Sequence, residues 1–253
     1  MGRTVVIVQA RMTSTRLPGK VLLDLAGHTV LEHVLARCIV IPGVDDVCCA
    51  IPDGAIHDPL LQVVERIGAT SFRGSEYDVL DRYYRAAQAL DADSVMRVTS
   101  DCPLIDPRVC AEVLQLVTVQ NYDYACNNMP SSWPHGLDCE AFSFESLELA
   151  ARNARQAGER EHVTPWLRNN AAMRKVNFPG PGGFAAKQRW TLDFPEDYEF
   201  LARLFNLLPA WPLIPSTDEV LVLLAAHPEI AAINHRHQNA SRPTVPDARK
   251  DQP

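Results

Sequence analysis

Residues 4–10, Thr4-Val5-Val6-Ile7-Val8-Gln9-Ala10, are apolar and β-branched almost without a break, as in a central strand buried on both faces. A polar stretch follows, and apolar residues then recur at helical spacing over 30–41 until Pro42 and Gly43 stop them. The alternation continues with strands expected at 46–51, 70–72 and 94–99 and helices at 57–67 and 77–90. Strands separated by helices of this length imply βαβ crossovers and a parallel sheet. Beyond a helix at 107–119 the rhythm loosens. Strands at 122–126, 137–142 and 173–178, with helices at 144–155 and 159–169 among them, predict a mixed sheet or an excursion near 120–185. The Pro179-Gly180-Pro181-Gly182-Gly183 loop is expected to be mobile, and a short strand at 189–192 to precede helices at 196–207, 217–226 and 229–236. The pattern predicts one α/β domain over 1–238 and a polar, proline-bearing tail at 239–253 that is expected to be disordered. In such sheets ligands bind beyond the carboxyl ends of the strands, which directs attention to the loops that follow residues 10, 99 and 192.

Composition narrows the partners. Of the 253 residues, 47% are hydrophobic, enough for one well-filled core. The formal net charge of -7 would repel a nucleic-acid backbone, whereas a local cluster of cations could still hold a small anionic nucleotide. No run approaches the roughly 18–20 apolar residues of a bilayer-spanning helix, and no charged-then-apolar leader opens the chain, so a soluble, cytoplasmic protein is expected. Seven cysteines without a C-x-x-C pair suggest reduced, buried thiols, neither a disulfide framework nor a zinc knuckle. Tyr83, Tyr84, Trp166 and Trp190 read as packing residues.

The loop Gln9-Ala10-Arg11-Met12-Thr13-Ser14-Thr15-Arg16-Leu17-Pro18-Gly19-Lys20 sets three cations directly after the first strand. A triphosphate suits that arrangement. Guanidiniums match phosphate oxygens bidentately, a lysine adds a compact charge, and Gly19 with the hydroxyl-bearing turn lets backbone N–H groups approach. A P-loop would need Gly at 14 and a hydroxyl at 21, where this chain has Ser14 and Val21, and no G-x-G-x-x-G occurs. On composition alone a solvated basic turn is the alternative. The string from Ala10 to Lys20, however, closely resembles the A-R-x-x-S-x-R-L-P-G-K loop of the cytidylyltransferases that activate acidic sugars, including the 3-deoxy-manno-octulosonate and acylneuraminate enzymes. The likeness leans toward the spore coat polysaccharide biosynthesis type. It extends through Gly74-Ser75-Glu76-Tyr77-Asp78-Val79-Leu80-Asp81-Arg82-Tyr83-Tyr84, Thr99-Ser100-Asp101-Cys102-Pro103-Leu104-Ile105-Asp106-Pro107, Gly136-Leu137-Asp138-Cys139-Glu140, Arg160-Glu161-His162-Val163-Thr164-Pro165 and Trp190-Thr191-Leu192-Asp193-Phe194-Pro195-Glu196-Asp197.

The resemblance implies a Rossmann-like nucleotidyltransferase α/β fold related to the type-A glycosyltransferases, with a mixed, mostly parallel sheet flanked by helices. It also implies CTP as donor, Mg²⁺ as cofactor, a small-molecule acceptor, and a homodimer for which the 120–185 excursion is available. Nucleotide binding then falls to Gln9, Ala10, Arg11, Ser14, Arg16, Gly19, Lys20, Thr99 and Ser100, and the catalytic set is Arg11, Arg16, Lys20 and Asp101. Arg73, Gly74 and Ser75 precede a helix and either read cytosine or simply cap that helix through Ser75.

Asp101 and Asp193 each follow an expected strand and would overhang the same rim. Either they hold Mg²⁺ through hard carboxylate oxygens, or they act locally, Asp101 as a turn former or helix cap and Asp193 as a helix cap. The resemblance assigns both to the metal; mutual repulsion in the metal-free protein should then make Asp193→Asn neutral or stabilising. Ser100 and Cys102 depart from the Gly-Asp-Glu-Pro setting of the octulosonate enzymes. Asp138, Glu140, Arg160, Glu161 and His162 could line the acceptor side, with His162 as a base, or Arg160 to His162 could be an ordinary charged helix turn. His235 and His237 read as tail. Two other readings stand beside cytidylyl transfer to an acidic sugar, phosphate or phosphonate acceptor for surface polysaccharide or glycan precursors. One is a glycosyltransferase with a D-x-D metal pair, for which the chain offers Asp91-Ala92-Asp93 ahead of a strand; the other is a non-catalytic nucleotide-binding protein.

Overall fold

A computed structural model of the chain describes residues 2–240. Strand β1 (Thr4–Gln9) is central and buried, and its side chains divide between two cores, Val6 and Val8 on one face and Val5 and Ile7 on the other. The loop after it closes with a 3₁₀ turn (Lys20–Leu22) and a small hairpin of β2 (Asp24–Leu25) and β3 (His28–Thr29). Helix α1 (Val30–Ile39) starts from a capping box in which Thr29 and Glu32 satisfy each other's backbone N–H. Then come β4 (Asp46–Pro52), α2 (Asp58–Ile67), β5 (Thr70–Gly74), α3 (Val79–Ala89) and β6 (Ser94–Thr99). The chain continues through α4 (Pro107–Thr118), β7 (Tyr124–Cys126), β8 (Glu140–Ser143), α5 (Phe144–Asn153), α6 (Ala157–His162), α7 (Pro165–Asn169), β9 (Lys175–Asn177) and α8 (Gly183–Ala186). It ends with α9 (Pro195–Phe205), α10 (Thr217–Ala226) and α11 (Pro228–Ala231).

Seven strands form one sheet in the order β5-β4-β1-β6-β8-β7-β9, parallel throughout except for β8, which runs against both neighbours. The expected mixed α/β sheet flanked by helices is present, and β8 is what mixes it. Successive strands move outward from β1 to β4 and β5, then cross to β6 on the other side, so β1 and β6 flank the point where strand order reverses. Ligands of such sheets lie beyond the carboxyl ends there. A third core, built on Trp190, Leu192, Phe200, Leu204 and Val220, packs the C-terminal helices against Leu25, Leu104 and Leu137.

Several expected elements differ. The helix expected at 159–169 is two, because Val163 takes a left-handed φ of 70° and Pro165 begins α7. Residues 189–192 are extended but join no sheet. A single bridge links Arg189 to His135, Trp190 N–H donates to His135 O (2.6 Å), and Leu192 N–H donates to Asp101 O (2.9 Å). Gly136 permits this approach: at φ 114° it lies where a Cβ would stand 2.6 Å from Thr191 N. The 179–183 loop is tied down, Gly180 N–H donating to Ser132 Oγ and Gly182 N–H to Ser132 O. The last expected helix is only α11 and a 3₁₀ turn (His235–His237), and His237 is not tail, since its ring stacks on Phe194 at 4.0 Å. Of the expected tail, Ala240 O accepts a bond from Arg189; 241–253 lie outside the described residues.

Candidate active site

A cavity of about 690 Å³ opens at the carboxyl ends of β1 and β6, whose last residues, Gln9 and Thr99, stand in register. One wall is the basic loop, from which Gln9, Ala10, Arg11, Ser14, Thr15, Arg16 and Lys20 face the opening. Two anchors hold that loop: Met12 N–H donates to His57 Nδ1 (3.2 Å), and Thr13 Oγ1 donates to Glu76. Gly19 does not line the cavity; its left-handed backbone (φ 69°) turns the chain into the Lys20 turn. Thr99, Ser100 and Asp101 enter from β6, and Asp193 from the extended 189–193 segment.

Asp101 and Asp193, 92 positions apart, converge on one cation, the Lys20 ammonium. Its Nζ donates to Asp101 Oδ2 (2.8 Å), Asp193 Oδ1 (2.9 Å) and Leu192 O (2.6 Å). Burial works against the charge of Lys20, but the two carboxylates outweigh it and hold the ammonium pKa above its usual value. Burial likewise opposes ionisation of both aspartates, and Lys20, joined at Asp193 by Arg16, wins, so both are held below the ordinary carboxylate range. Arg16 reaches Asp193 at 2.7 Å while lying over the Phe194 ring, and Arg189 approaches its other oxygen at 3.3 Å. Neither aspartate caps a helix. Asp106 caps α4 by accepting from Arg108 N–H, and the N–H groups of Asp193 and Phe194 donate to Asp197 at the start of α9. The expected repulsion between the two acids persists, Asp193 pushing the Asp101 carboxyl up, but Lys20 standing between them outweighs it.

As a metal site the pair supplies two hard oxygens, and no cluster of three or more His, Cys, Asp or Glu suited to a metal occurs among the described residues. Two carboxylates that already meet on one cation fit Mg²⁺, an ion that takes few protein oxygens and completes its shell with water and substrate phosphate.

The remaining expected residues divide. Arg73 turns outward to Asp58, Pro52 O and Gly54 O, Gly74 packs under Arg82, and Ser75 Oγ accepts from Asp78 N–H; none of the three lines the cavity. Arg160 is bound to Asp78 and Ala151 O, also outside it. Asp138, Glu161 and His162 do line it. Glu140 is buried behind the wall, paired with Arg97 and Arg168. The sequence reading missed Arg82, Arg97, Asn128, Thr164 and Arg168, all lining residues. A signal existed for Arg97, a lone charge in the apolar strand Ser94-Val95-Met96-Arg97-Val98-Thr99, since buried strands seldom carry an unpaired cation. Asp91-Ala92-Asp93 lies ahead of β6, with Asp93 accepting Arg3 N–H, at the amino ends of the strands and away from the cavity at their carboxyl ends. A D-x-D metal pair is therefore not part of this site.

Residues 5–222 match the family model described as cytidylyltransferase. The chain belongs to the cytidylyltransferase family. It is a CTP-dependent nucleotidyltransferase by that membership. It is 33% identical over 232 residues to the spore coat polysaccharide biosynthesis protein SpsF of Bacillus subtilis, covering 89% of this chain and 95% of that one. A solved cytidylyltransferase structure from Leptospira borgpetersenii superposes with a TM-score of 0.85 at 28% identity, over 97% of this chain and 99% of that one. The fold is also that of a CMP:2-keto-3-deoxy-manno-octonic acid synthetase complexed with CTP, with a TM-score of 0.62 at 20% identity over 81% of this chain and 99% of that one. In this cytidylyltransferase no helix among the described residues is long and apolar enough to cross a membrane.

Proposed function

We propose that this enzyme transfers CMP from CTP to an acidic sugar or related small acceptor, using Mg²⁺ and releasing pyrophosphate. The observation that carries the reading is the meeting of Lys20, Asp101 and Asp193 beside the basic loop at the mouth of one cavity. Bound on Asp101 and Asp193, Mg²⁺ would neutralise charge on the phosphates. Arg11, Arg16 and Lys20 would bind the triphosphate and steady the charge that gathers on pyrophosphate as it leaves. Gln9, whose buried Oε1 has no partner among the described residues, and Arg82 with an unpartnered Nε are available to the nucleoside. An acceptor hydroxyl oxygen attacks the α-phosphorus, a P–O bond forms, the bond to the β-phosphate oxygen breaks, and the hydroxyl proton passes to solvent. Positioning and charge stabilisation carry such transfers, so no protein nucleophile is required. SpsF, by its name, supports a role in making precursors of surface polysaccharide or other glycan, and the family resemblance supports a cytoplasmic homodimer.

Calorimetry of the protein with CTP, UTP, ATP and GTP at saturating Mg²⁺ tests the nucleotide. CTP should bind most tightly, and removal of Mg²⁺ with chelator should weaken it. Equal affinity for all four would overturn the assignment.

A further inference from the structure

Away from the basic loop, the cavity holds a second charge arrangement where β6, β8 and α7 meet. Arg97 on β6 stands directly opposite Glu140 on β8, and its Nη1 donates to Glu140 Oε2 at 2.6 Å. Arg168 from α7 donates through Nε to Oε1 of the same carboxylate at 2.9 Å, and Tyr124 OH from β7 donates to that oxygen as well. Glu140 is buried. Burial opposes its charge, but Arg168 and Arg97 outweigh it and bring its pKa down to about 2. Two guanidiniums thus share one carboxylate, and the cluster keeps one positive charge in excess.

A surplus charge withdrawn from water is costly unless an opposite charge joins it. The surroundings are also short of partners. Arg97 Nε, Thr164 Oγ1 and Asn128 Oδ1 are buried without a hydrogen bond to any of the described residues, and Arg97, Arg168, Thr164 and Asn128 line the same cavity as the basic loop. Arg97 lies on the face of β6 that carries Thr99, two residues behind it. At roughly 3.3 Å per residue this sets the guanidinium's strand position about 7 Å below the rim where Asp101 begins. A molecule anchored at the arginines and reacting near Asp101 would span the length of a small sugar.

We propose that Arg97 and Arg168 seat an anionic group of the acceptor, a carboxylate or a phosphate or phosphonate, with Thr164 Oγ1 as a further hydrogen-bonding contact. Glu140 is then the fixed counter-charge that aims both arginines, not an acceptor ligand. This inference rests on the cytidylyl-transfer reading for what the anion belongs to, and on the arginine geometry for where it sits.

Two experiments test it. Crystals of the protein with CTP, which fills the triphosphate loop, are soaked in selenate, and an anomalous peak is expected between the Arg97 and Arg168 guanidiniums. No peak there would overturn the seat, whether or not CTP is found in the same crystals. Absence of CTP with the selenate peak present would count against the nucleotide reading alone. Pyrophosphate release is then measured with three groups of acceptors: sugar carboxylates, phosphate- or phosphonate-bearing hydroxy compounds, and neutral sugars. Turnover is expected only in an anionic group, and which one identifies the anion; neutral sugars turning over as well as anionic ones would overturn the proposal. Arg168→Lys should raise the acceptor KM by about tenfold or more, the kinetic size of one charge-assisted hydrogen bond, with the CTP KM unchanged. Thr164→Val, which removes a hydroxyl without a protein partner and should not disturb folding, should raise the acceptor KM several-fold. A change confined to the CTP KM in either variant would overturn it.

Discussion

At the residue scale the site turns on how one lysine is shared. Lys20 neutralises Asp101 and Asp193 together, and Arg189 lies between Asp193 and Asp197, so each acid is stabilised by a cation already in place. This reverses what the sequence implied for Asp193→Asn, which was expected to relieve repulsion. Removing that carboxylate leaves Lys20 with Asp101 as its remaining acid and Arg189 with Asp197, and it leaves Arg16, which is exposed to water, without its acid. Breaking a buried pair outright costs about 3–5 kcal/mol, and since the two buried cations each keep a second acid and Arg16 is solvated, a loss near 2 kcal/mol is expected. The melting temperature of the metal-free variant should therefore fall, and CTP-dependent pyrophosphate release should drop steeply at low Mg²⁺. Melts and a Mg²⁺ titration on the same preparations check both outcomes; wild-type activity at low Mg²⁺ would remove Asp193 from the metal site.

At the scale of elements, the sequence reading succeeded where one local rule determines the outcome. The apolar runs of β1 and β6 mark their own boundaries, and α10 begins at Ser216 with a capping box. It failed where tertiary contacts decide. The 189–193 segment looks like a strand, but its N–H groups are taken by His135 and Asp101, so it serves as a strap that brings Asp193 to the rim. Glu140 and Arg168 are 28 positions apart, and their pairing depends on α7 being a separate helix, which Val163 and Pro165 decide together. The basic loop was legible as a cluster of cations at the crevice beyond β1, whereas its anchors at His57 and Glu76 were not, since both come from distant parts of the chain. Those anchors predict a further outcome. Thr13→Val removes the bond to Glu76 from a half-buried loop residue, so stability should change by about 1 kcal/mol or less while kcat/KM for CTP falls several-fold as the loop loosens. Denaturant unfolding beside steady-state kinetics measures both, and unchanged kinetics would show that the Met12–His57 bond alone sets the loop.

Across the whole molecule the weak seam to pH lies where α1 and the hairpin meet the C-terminal helices. His33 on α1 is buried there against Phe205 of α9 and the Trp211 ring, and its Nε2 is 2.8 Å from Leu25 O, a contact that requires the ring to donate. Burial pushes its pKa down to about 4, helped by the nearby charges of Arg37 and His28 and opposed by the Leu25 carbonyl and Glu32. In the unfolded chain the same imidazole takes up a proton as pH falls through about 6.5, while in the fold it resists until about 4. The neutral ring's contribution is therefore complete above pH 6.5 and is lost progressively between 6.5 and 4, at about 1.4 kcal/mol per pH unit. Glu140, held near 2, contributes its own loss only at lower pH, as the unfolded carboxylate protonates. His57, also lowered by burial, titrates in wild type and variant alike and cancels in their difference. His33→Gln keeps a donor for Leu25 O and cannot be protonated. Between pH 7.5 and pH 5 the stability of the wild type should fall relative to His33→Gln by about 2 kcal/mol, measured as the change in unfolding free energy from denaturant titrations at the two values. Parallel pH profiles for the two proteins would mean that His33 protonates in the fold as easily as in the open chain, and that the seam between the sheet and the C-terminal helices admits water.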